Sequence, residues 1–437
     1  MPPPSIVVLG AGYVGMITAV GLAELGHSVQ LVEKAPGRLA ALESGTVPIF
    51  EADLQEAFEE QVRAGRLVLA RVPNSVEDIV MVCVGTPISD DGRSDLGQLK
   101  SALDDLDPAV SDRTILVIRS TVPVGSTKRL VEWTSVPSAR IFTNPEFLRE
   151  GTALADFRAP SRIVIGRFAD ADDPSLKAVL GLFAKVEANV ELVDVTASEM
   201  IKNGANAFLA LKLSFVNEMA ALAEEAGTDV GDVLRGIGTD PRIGSRYMNA
   251  GLGFGGSCLP KELQTLAVAG RSVGLPMHVT TAAAQANVSH QERFAGRVAG
   301  IVGGLADKRI GLLGLAFKAG TDDVRDSPAL RLAGSMMASG ATVVAFDPAA
   351  AVNAHRVLPD LILVHRAEEV FPRADAVVIA TEWPEFTQLP FPDLRTQMAT
   401  PVLIDGRRLI DAPALRALGF RVATVGTSEQ YTTDIRP

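Results

Sequence analysis

Residues 5–34, SIVVLGAGYVGMITAVGLAELGHSVQLVEK, decide the fold. SIVVLG is a continuous apolar run that reads as a buried strand; AGYVGMITAVGLAELG carries apolar residues through helical turns, and SVQLVEK reads as a second strand. Strand, glycine turn, helix and strand in about thirty residues make a βαβ unit. Gly10-Ala11-Gly12-Tyr13-Val14-Gly15 is G-x-G-x-x-G placed directly after a strand and opening a helix. In that context the glycines allow a tight turn and let backbone N–H groups meet a pyrophosphate at the positive helix end. Gly10, Gly12, Tyr13, Val14 and Gly15 are therefore cofactor-binding candidates. Glu33 ends the next strand, where a carboxylate can hold a ribose hydroxyl pair and would repel a 2′-phosphate, so NAD is expected over NADP. Lys34 and Arg38 nearby temper that preference, and Arg38 joins the cofactor candidates.

Outward from this unit, further apolar strands follow at DIVMVCVG, TILVIRST and RIVIG, as in a parallel sheet covered on both faces. Residues 1–196 are expected to form a doubly wound, Rossmann-like NAD-binding domain. From Ala197 to Ala226 apolar residues recur at helical spacing until Gly227 ends the run, and helical sequence continues through ELQTLAVAGRSVG and HVTTAAAQANVSHQERFAGRVAGIV. Residues 197–304 thus read as an all-helical central domain whose long helix suits a brace or a dimer surface. The strand pattern restarts at RIGLLGLAFK and runs on through TVVAFDP, LILVH, DAVVIAT and PVLIDG, making residues 305–437 a second, smaller Rossmann-like domain. The expected fold is α/β: two doubly wound domains joined by a helical one, with ligands at strand C-terminal ends.

The chain has 437 residues, 47% hydrophobic and 21% charged, with a formal net charge of -11. That acidic balance, with no dense Lys/Arg run, argues against a general nucleic-acid surface. The N-terminus MPPPSIVVLGAG lacks a basic region before its apolar stretch and does not read as a signal peptide, and no apolar stretch has membrane-spanning length. Two cysteines far apart, Cys83 and Cys258, argue against a disulfide framework and for a reducing cytoplasm as the natural setting. Cys83 sits within a buried strand and reads as a small core hydrophobe. The histidines are scattered, and no His/Cys/Asp/Glu group has metal-ligand spacing, so no metal is expected.

Two strand ends run into turn residues on the ligand side of the first sheet: Val84-Gly85-Thr86-Pro87, and Arg119-Ser120-Thr121-Val122-Pro123. Hydroxyls of Thr86, Ser120 and Thr121 can hold a cofactor or a water, or can simply form the turns. Cys258, in GLGFGGSCLPKE (251–262), follows closely spaced glycines and precedes Leu259-Pro260, a helix-start signal. Unsatisfied N–H groups at a helix end favour a thiolate, which makes Cys258 a nucleophile candidate, against the alternative of a structural cysteine in a glycine turn. The glycines there are expected to let the backbone approach a ligand closely.

GAGYVG, VPIFEADL, VGTP, RSTVPVGST, TNPEFLREG, SEMIKNGANAF, GFGGSCLPKE, FKAGTDDVRDSP, ATEWPEF and DGRR, in this order, resemble segments of the UDP-glucose/GDP-mannose dehydrogenase family across nearly the whole chain. RIGSRYMNAGLGFGGSC and ATEWPEF are most like its UDP-glucose 6-dehydrogenases. The resemblance implies a four-electron oxidation of a nucleotide-sugar C6 alcohol to the carboxylate with two NAD+, UDP-glucose being the favoured substrate. It implies that Cys258 traps the aldehyde as a thiohemiacetal that becomes a thioester. Lys202 and Asn206, four residues apart on one helical face, match the family's oxyanion stabilisers. Glu146 matches its general base for thioester hydrolysis, which must not be quenched by a full salt bridge. Thr121 matches a hydroxyl that positions the water. Glu262 stands where the family usually has Asp assisting the first proton removal, one methylene further out.

By the same resemblance Phe147, Leu148, Arg149, Glu150, Arg242, Tyr247, Asn249, Gly253, Phe254, Gly255, Phe317, Lys318 and Arg407 are substrate-binding positions, as are Lys202 and Asn206. Arg408 competes with Arg407 for that role. Gly85, Thr86, Pro87, Ser120, Thr121, Glu150, Lys261 and Arg325 join the cofactor-binding set. A homodimer is expected. Asn203-Gly204 would interrupt the long helix between Lys202 and Asn206, at roughly 1 kcal/mol for a helix-interior glycine. The rival readings are the same chemistry on GDP-mannose, a UDP-N-acetylhexosamine or another uridine compound, a single-hydride hydroxyacid dehydrogenase, and a non-catalytic sensor of NAD or a nucleotide sugar.

Overall fold

A computed structural model describes residues 5–73, 79–89 and 92–428. It resolves into two compact units, one running to Ala205 and including Val268–Leu275, the other comprising Asn206–Ala267 and the chain from Pro276 onward.

The first unit is built on eight strands: β1 (Ser5–Leu9), β2 (Ser28–Val32), β3 (Leu67–Ala70), β4 (Ile79–Val82), β5 (Ile115–Ile118), β6 (Ile141–Thr143), β7 (Arg162–Arg167) and β8 (Asn189–Asp194). They form one sheet in the order β3-β2-β1-β4-β5-β6-β7-β8. Every residue of β4 and β5 is buried, as their unbroken apolar runs require when helices cover both faces. The order reverses between β1 and β4, which end side by side at Gly10 and Cys83. Ligands bind such sheets at that reversal. Cys83 is buried, and burial pushes its thiol up to about 12, so it is an inert core residue.

The sheet departs from the expected parallel arrangement at one seam. Segment 144–161, which carries Glu146 and Glu150, leaves and re-enters the sheet at the same end. β7 therefore pairs antiparallel with β6, Thr143 opposite Gly166, and β8 follows β7 in parallel. A Cβ on Gly166 would lie 2.1 Å from Thr143 Oγ1, so this crossing needs glycine.

In the second unit β9 (Arg309–Leu313), β10 (Thr342–Phe346), β11 (Ile362–Leu363), β12 (Ala376–Ile379), β13 (Val402–Asp405) and β14 (Arg421–Thr424) form a six-stranded sheet. Its order, β11-β10-β9-β12-β13-β14, repeats the progression of the first sheet, and its neighbouring strands all pair parallel. Phe294, Val298 and Ile301 of helix His278–Val302 pack with Val216, Ala220 and Ala223 against β9 and β10 residues Ile310, Leu312 and Val343 in one core.

A 32-residue helix, Val195–Ala226, is continuous through Asn203 and Gly204, contrary to the expected interruption. Asn203 is buried and its amide donates to Glu199 O at 2.8 Å, while a Cβ at Gly204 would meet nothing within 4 Å. Gly227, at φ 74, ends the helix as its sequence position predicts. Among the described residues no helix is long and apolar enough to cross a membrane, and no group of three or more His, Cys, Asp and Glu could hold a metal ion.

Candidate active site

Each glycine of the first turn meets a different surrounding. A Cβ on Gly10 would lie 3.1 Å from Cys83 O, and one on Gly15 would lie 1.8 Å from Gly10 O. Packing of strand against helix forbids both. At Gly12 a Cβ would meet nothing within 4 Å, so the backbone just before helix Tyr13–Glu24 faces open space. That is the approach a pyrophosphate needs at the positive end of a helix. Glu33 is buried and accepts from Ala11 N at 3.1 Å, Ala35 N at 2.7 Å and Arg38 Nη1 at 3.1 Å. The glycine turn and the Glu33 carboxylate are thus one hydrogen-bonded piece, and these residues fit NAD. Arg38 is drawn to Glu33, while Lys34 pairs with Asp105.

Thr86 and Ser120 are buried, and their hydroxyls donate to Thr121 O (2.6 Å) and Val84 O (2.7 Å). Their protons stitch the 84–87 and 119–122 turns together. Gly85 leaves room for Gln98, whose Oε1 would lie 3.1 Å from a Cβ there, and Pro87 O accepts from Asp95 N at 2.7 Å.

Beside these turns Lys202 Nζ donates to Glu146 Oε1 at 2.8 Å, and both side chains are almost fully buried. Glu146 also accepts from Leu148 N at 2.7 Å. Burial alone would raise the Glu146 carboxyl, but the Lys202 ammonium, the Leu148 N–H and the charge of Arg119 outweigh it and hold the group below the usual carboxylate range. The expectation of a base clear of a full salt bridge is not met here, because Lys202 occupies it. Arg119 is itself buried, donating to Thr18 Oγ1 at 2.8 Å and to Asn144 Oδ1. Arg162 lies 3.8 Å from the centroid of the Phe147 ring, and Lys202 lies 5.5 Å from it. Arg149 spreads over Asp156 at 2.6 Å.

Sequence reading missed two residues of the same helix as Lys202. Glu199 is buried and accepts from Thr127 N (2.7 Å), Thr127 Oγ1 (2.6 Å) and Gly125 N; Asn203 donates to Val122 O at 3.1 Å. Together they pin the turn holding Thr121. The signal available was Glu199, Lys202, Asn203 and Asn206 recurring at three- and four-residue spacing in an otherwise apolar helix.

In the second unit Asn217, Asn287 and His290, also missed, hold the glycine stretch before Cys258. Gly251 N donates to Asn217 Oδ1 (3.0 Å), His290 Nε2 meets Gly251 O (2.7 Å), and Asn287 exchanges two bonds with the Phe254 backbone at 2.9 and 3.0 Å. Burial lowers the His290 pKa, so its neutral form donates to that carbonyl. The glycines themselves are needed by the chain. A Cβ at Gly253 would lie 2.7 Å from Asn287 Oδ1, at Gly255 2.1 Å from Asp326 O, and at Gly256 2.8 Å from the Phe317 ring. At these three positions the side the Cβ would take is filled by protein neighbours, so the chain itself requires glycine there.

Cys258 is exposed, immediately before helix Leu259–Ser272, with Sγ 3.5 Å from Ser257 Oγ. Pro260 and half-buried Lys261 lie in the first turn, and Glu262, buried, donates its N–H to Cys258 O at 2.9 Å. Phe317 O accepts from Arg407 at 3.1 Å, and Lys318 Nζ stands 5.7 Å from the Phe317 ring centroid. Arg407 also donates to Ala380 O at 2.7 Å and faces Glu382 at 3.2 Å. Arg408 instead binds Asp229 (2.6 Å) and Val425 O (2.9 Å), a structural brace that separates the two arginines. Arg325 offers its carbonyl to Gly256 N at 2.8 Å while its side chain forks onto Asp323. Arg242 is exposed and paired with Asp240, and Tyr247 and Asn249 are exposed on the same loop.

Three family models match in chain order: the NAD binding domain over residues 4–187, the central domain over 196–289 and the UDP binding domain over 311–412, each of the UDP-glucose/GDP-mannose dehydrogenase family. The chain belongs to that family. It is an NAD-dependent oxidoreductase of that group, similar end to end to the UDP-glucose 6-dehydrogenase of Rhizobium meliloti, at 38% identity over 96% of this chain and 99% of that protein. Among solved structures, a UDP-glucose dehydrogenase from Pyrobaculum islandicum matches with a TM-score of 0.87 and 35% identity over 97% of this chain and 98% of that one. A UDP-D-ManNAc dehydrogenase from Pyrococcus horikoshii matches at 0.84 and 26%, over 97% and 99%. Family membership accounts for the two repeated sheets: one matches the NAD-binding model and the other the UDP-binding model.

Proposed function

We propose that the protein oxidises the C6 alcohol of UDP-glucose to the carboxylate of UDP-glucuronate, consuming two NAD+ and one water, through a covalent adduct on Cys258. The observation that carries this is Cys258, exposed at a helix start in a chain similar over its whole length to UDP-glucose 6-dehydrogenases. When bound, NAD+ would supply the hydride acceptor for each of the two oxidations. Gly10, Gly12, Tyr13, Val14, Gly15, Glu33 and Arg38 hold it, with Gly85, Thr86, Pro87, Ser120, Glu150, Lys261 and Arg325 lining its place. Phe147 to Glu150, Arg242, Tyr247, Asn249, Gly253 to Gly255, Phe317, Lys318 and Arg407 bind the sugar nucleotide.

Glu262 assists loss of the hydroxyl proton as the aldehyde forms. The Cys258 thiolate adds to the aldehyde carbon, and the resulting alkoxide is held by the Lys202 ammonium and the Asn206 amide. Loss of the second hydride gives a thioester. Water positioned by Thr121 adds to it as Glu146 takes a proton, and the C–S bond breaks to return the thiolate. The buried ion pair supports a sequence for these roles. While Lys202 binds Glu146 the base is weak; as the ammonium turns to an oxyanion, Glu146 loses its partner and regains basicity.

The homodimer is part of the same reading. Phe208, Phe215 and Leu222, one heptad apart on the long helix, are 64%, 46% and 59% exposed, an apolar stripe suited to a second copy. A reducing cytoplasm keeps Cys258 in its thiol form.

The test is single turnover of wild type and Cys258→Ser with UDP-glucose, UDP-galactose, N-acetylated UDP-hexosamines and GDP-mannose. Wild type is expected to form carboxylate from UDP-glucose and the variant to form none at a comparable rate. Carboxylate from Cys258→Ser at the wild-type rate would sink the covalent mechanism, and preference for another sugar would move the substrate assignment.

A further inference from the structure

The segment VPIFEADL (47–54) has no part in the chemistry above, yet the carboxylate of its glutamate reaches both the first helix and the 146–153 turn. Glu51 Oε2 accepts from the Tyr13 hydroxyl and from Gly151 N (2.7 Å), and Oε1 accepts from Ala153 N (2.7 Å). Tyr13 is the first residue of the helix whose start faces open space at Gly12. Gly151, at φ 83, follows Glu150 directly, and within the turn Leu148 N donates to Glu146 and Arg149 N to Asp156. One side chain therefore links the cofactor-binding helix end to the far end of the turn carrying Glu146. Two acidic groups, Glu51 and Glu150, face Tyr13, and burial with these charges keeps its hydroxyl protonated and able to donate.

We infer that Glu51 is a positioning residue for the oxidation, fixing the Glu146–Gly151 turn to the first turn of helix Tyr13–Glu24 through Tyr13. This rests on the function proposed above. An amide in place of the carboxylate retains one acceptor oxygen and turns an N–H towards a donor, so Glu51→Gln breaks part of the link while preserving shape. Tyr13→Phe breaks only the bond to the helix.

Glu51→Gln, Tyr13→Phe and the double variant are compared with wild type in the full chain. NADH titration by fluorescence counts intact sites, and kcat and KM are then taken per NADH-binding site with whichever nucleotide sugar the wild type oxidises. Glu51→Gln is expected to bind NADH within about threefold of wild type while kcat per site falls at least about tenfold. Tyr13→Phe should show a smaller fall. The double variant should be no worse than Glu51→Gln, because both changes cut one link and their effects cannot multiply. Unchanged kcat per site in Glu51→Gln, or losses that multiply in the double variant, overturns the inference. If Glu51→Gln does not fold, Tyr13→Phe decides alone, an unchanged kcat per site overturning it. Failure of the parent reading is recognised separately, as wild type that forms no NADH from any sugar nucleotide.

Discussion

At the scale of the residue, Lys202 and Glu146 dominate, because both are buried and each charge is offset in large part by the other. Lys202→Met leaves Glu146 buried without its ammonium and should destabilise the fold by about 3 kcal/mol in urea titrations. Joining it to Glu146→Leu should recover most of that loss while leaving no turnover, since an apolar pair packs where the ionic one did. The pH dependence has a definite sign. Glu146 titrates below its unfolded value of roughly 4.3, so the pair's contribution is complete above that pH and disappears as pH falls through the depressed folded pKa. Acid titration should therefore cost wild type this increment and spare the Lys202→Met, Glu146→Leu double variant. The position of Cys258 at a helix start was legible from Leu259-Pro260, while Glu146 and Lys202 stood out as candidates through the family resemblance of their segments. Glu51, Glu199, Asn217, Asn287 and His290 were not legible, since their partners are 33 to 102 positions away and nothing local marks them.

At the scale of the element, the three glycines of the first turn are distinguishable by experiment. Gly12→Ala places a methyl in open space: thermal stability should be unchanged while NADH affinity, by fluorescence titration, falls about tenfold if the backbone there meets the pyrophosphate. Gly15→Ala drives a methyl into Gly10 O and should lower the melting temperature before affinity is considered. The reverse pattern would mean that the cofactor does not approach at Gly12. For the long helix, Phe208→Asp with Phe215→Asp should convert a dimer to a monomer in light scattering, and an unchanged mass would remove that stripe from the interface. Strands with unbroken apolar runs were readable. β8 was not, for NVELVD is exposed at nearly every position and has no buried face to impose an alternation, and three-residue β6 is too short to carry a period. The antiparallel seam was hidden because strand direction depends on where segment 144–161 re-enters the sheet, which no local residue pattern states.

At the scale of the whole molecule, two sheets with the same strand progression carry two different switch points. One has Gly10 opposite Cys83 behind an open helix start; the other has Gly314, whose Cβ would lie 2.3 Å from Thr381 Cβ. The acidic residue after the second strand is present in both, but Asp347 accepts from five donors, Leu315 N, Ala316 N, Ala349 N, Ala350 N and Trp383 Nε1. Its role is structural, whereas Glu33 stands at the turn before the open helix start. This division of labour was visible in sequence only as one glycine-rich turn and one without it. The hexose was not legible, because one extra or inverted hydroxyl changes contacts that spacing along the chain does not encode. The central claim is a four-electron oxidation, and the most direct measurement is the NADH released per sugar when UDP-glucose is limiting and NAD+ is in excess. Two NADH per UDP-glucose, with UDP-glucuronate as the product, is the result predicted; one NADH with an aldehyde product, or none, would contradict it.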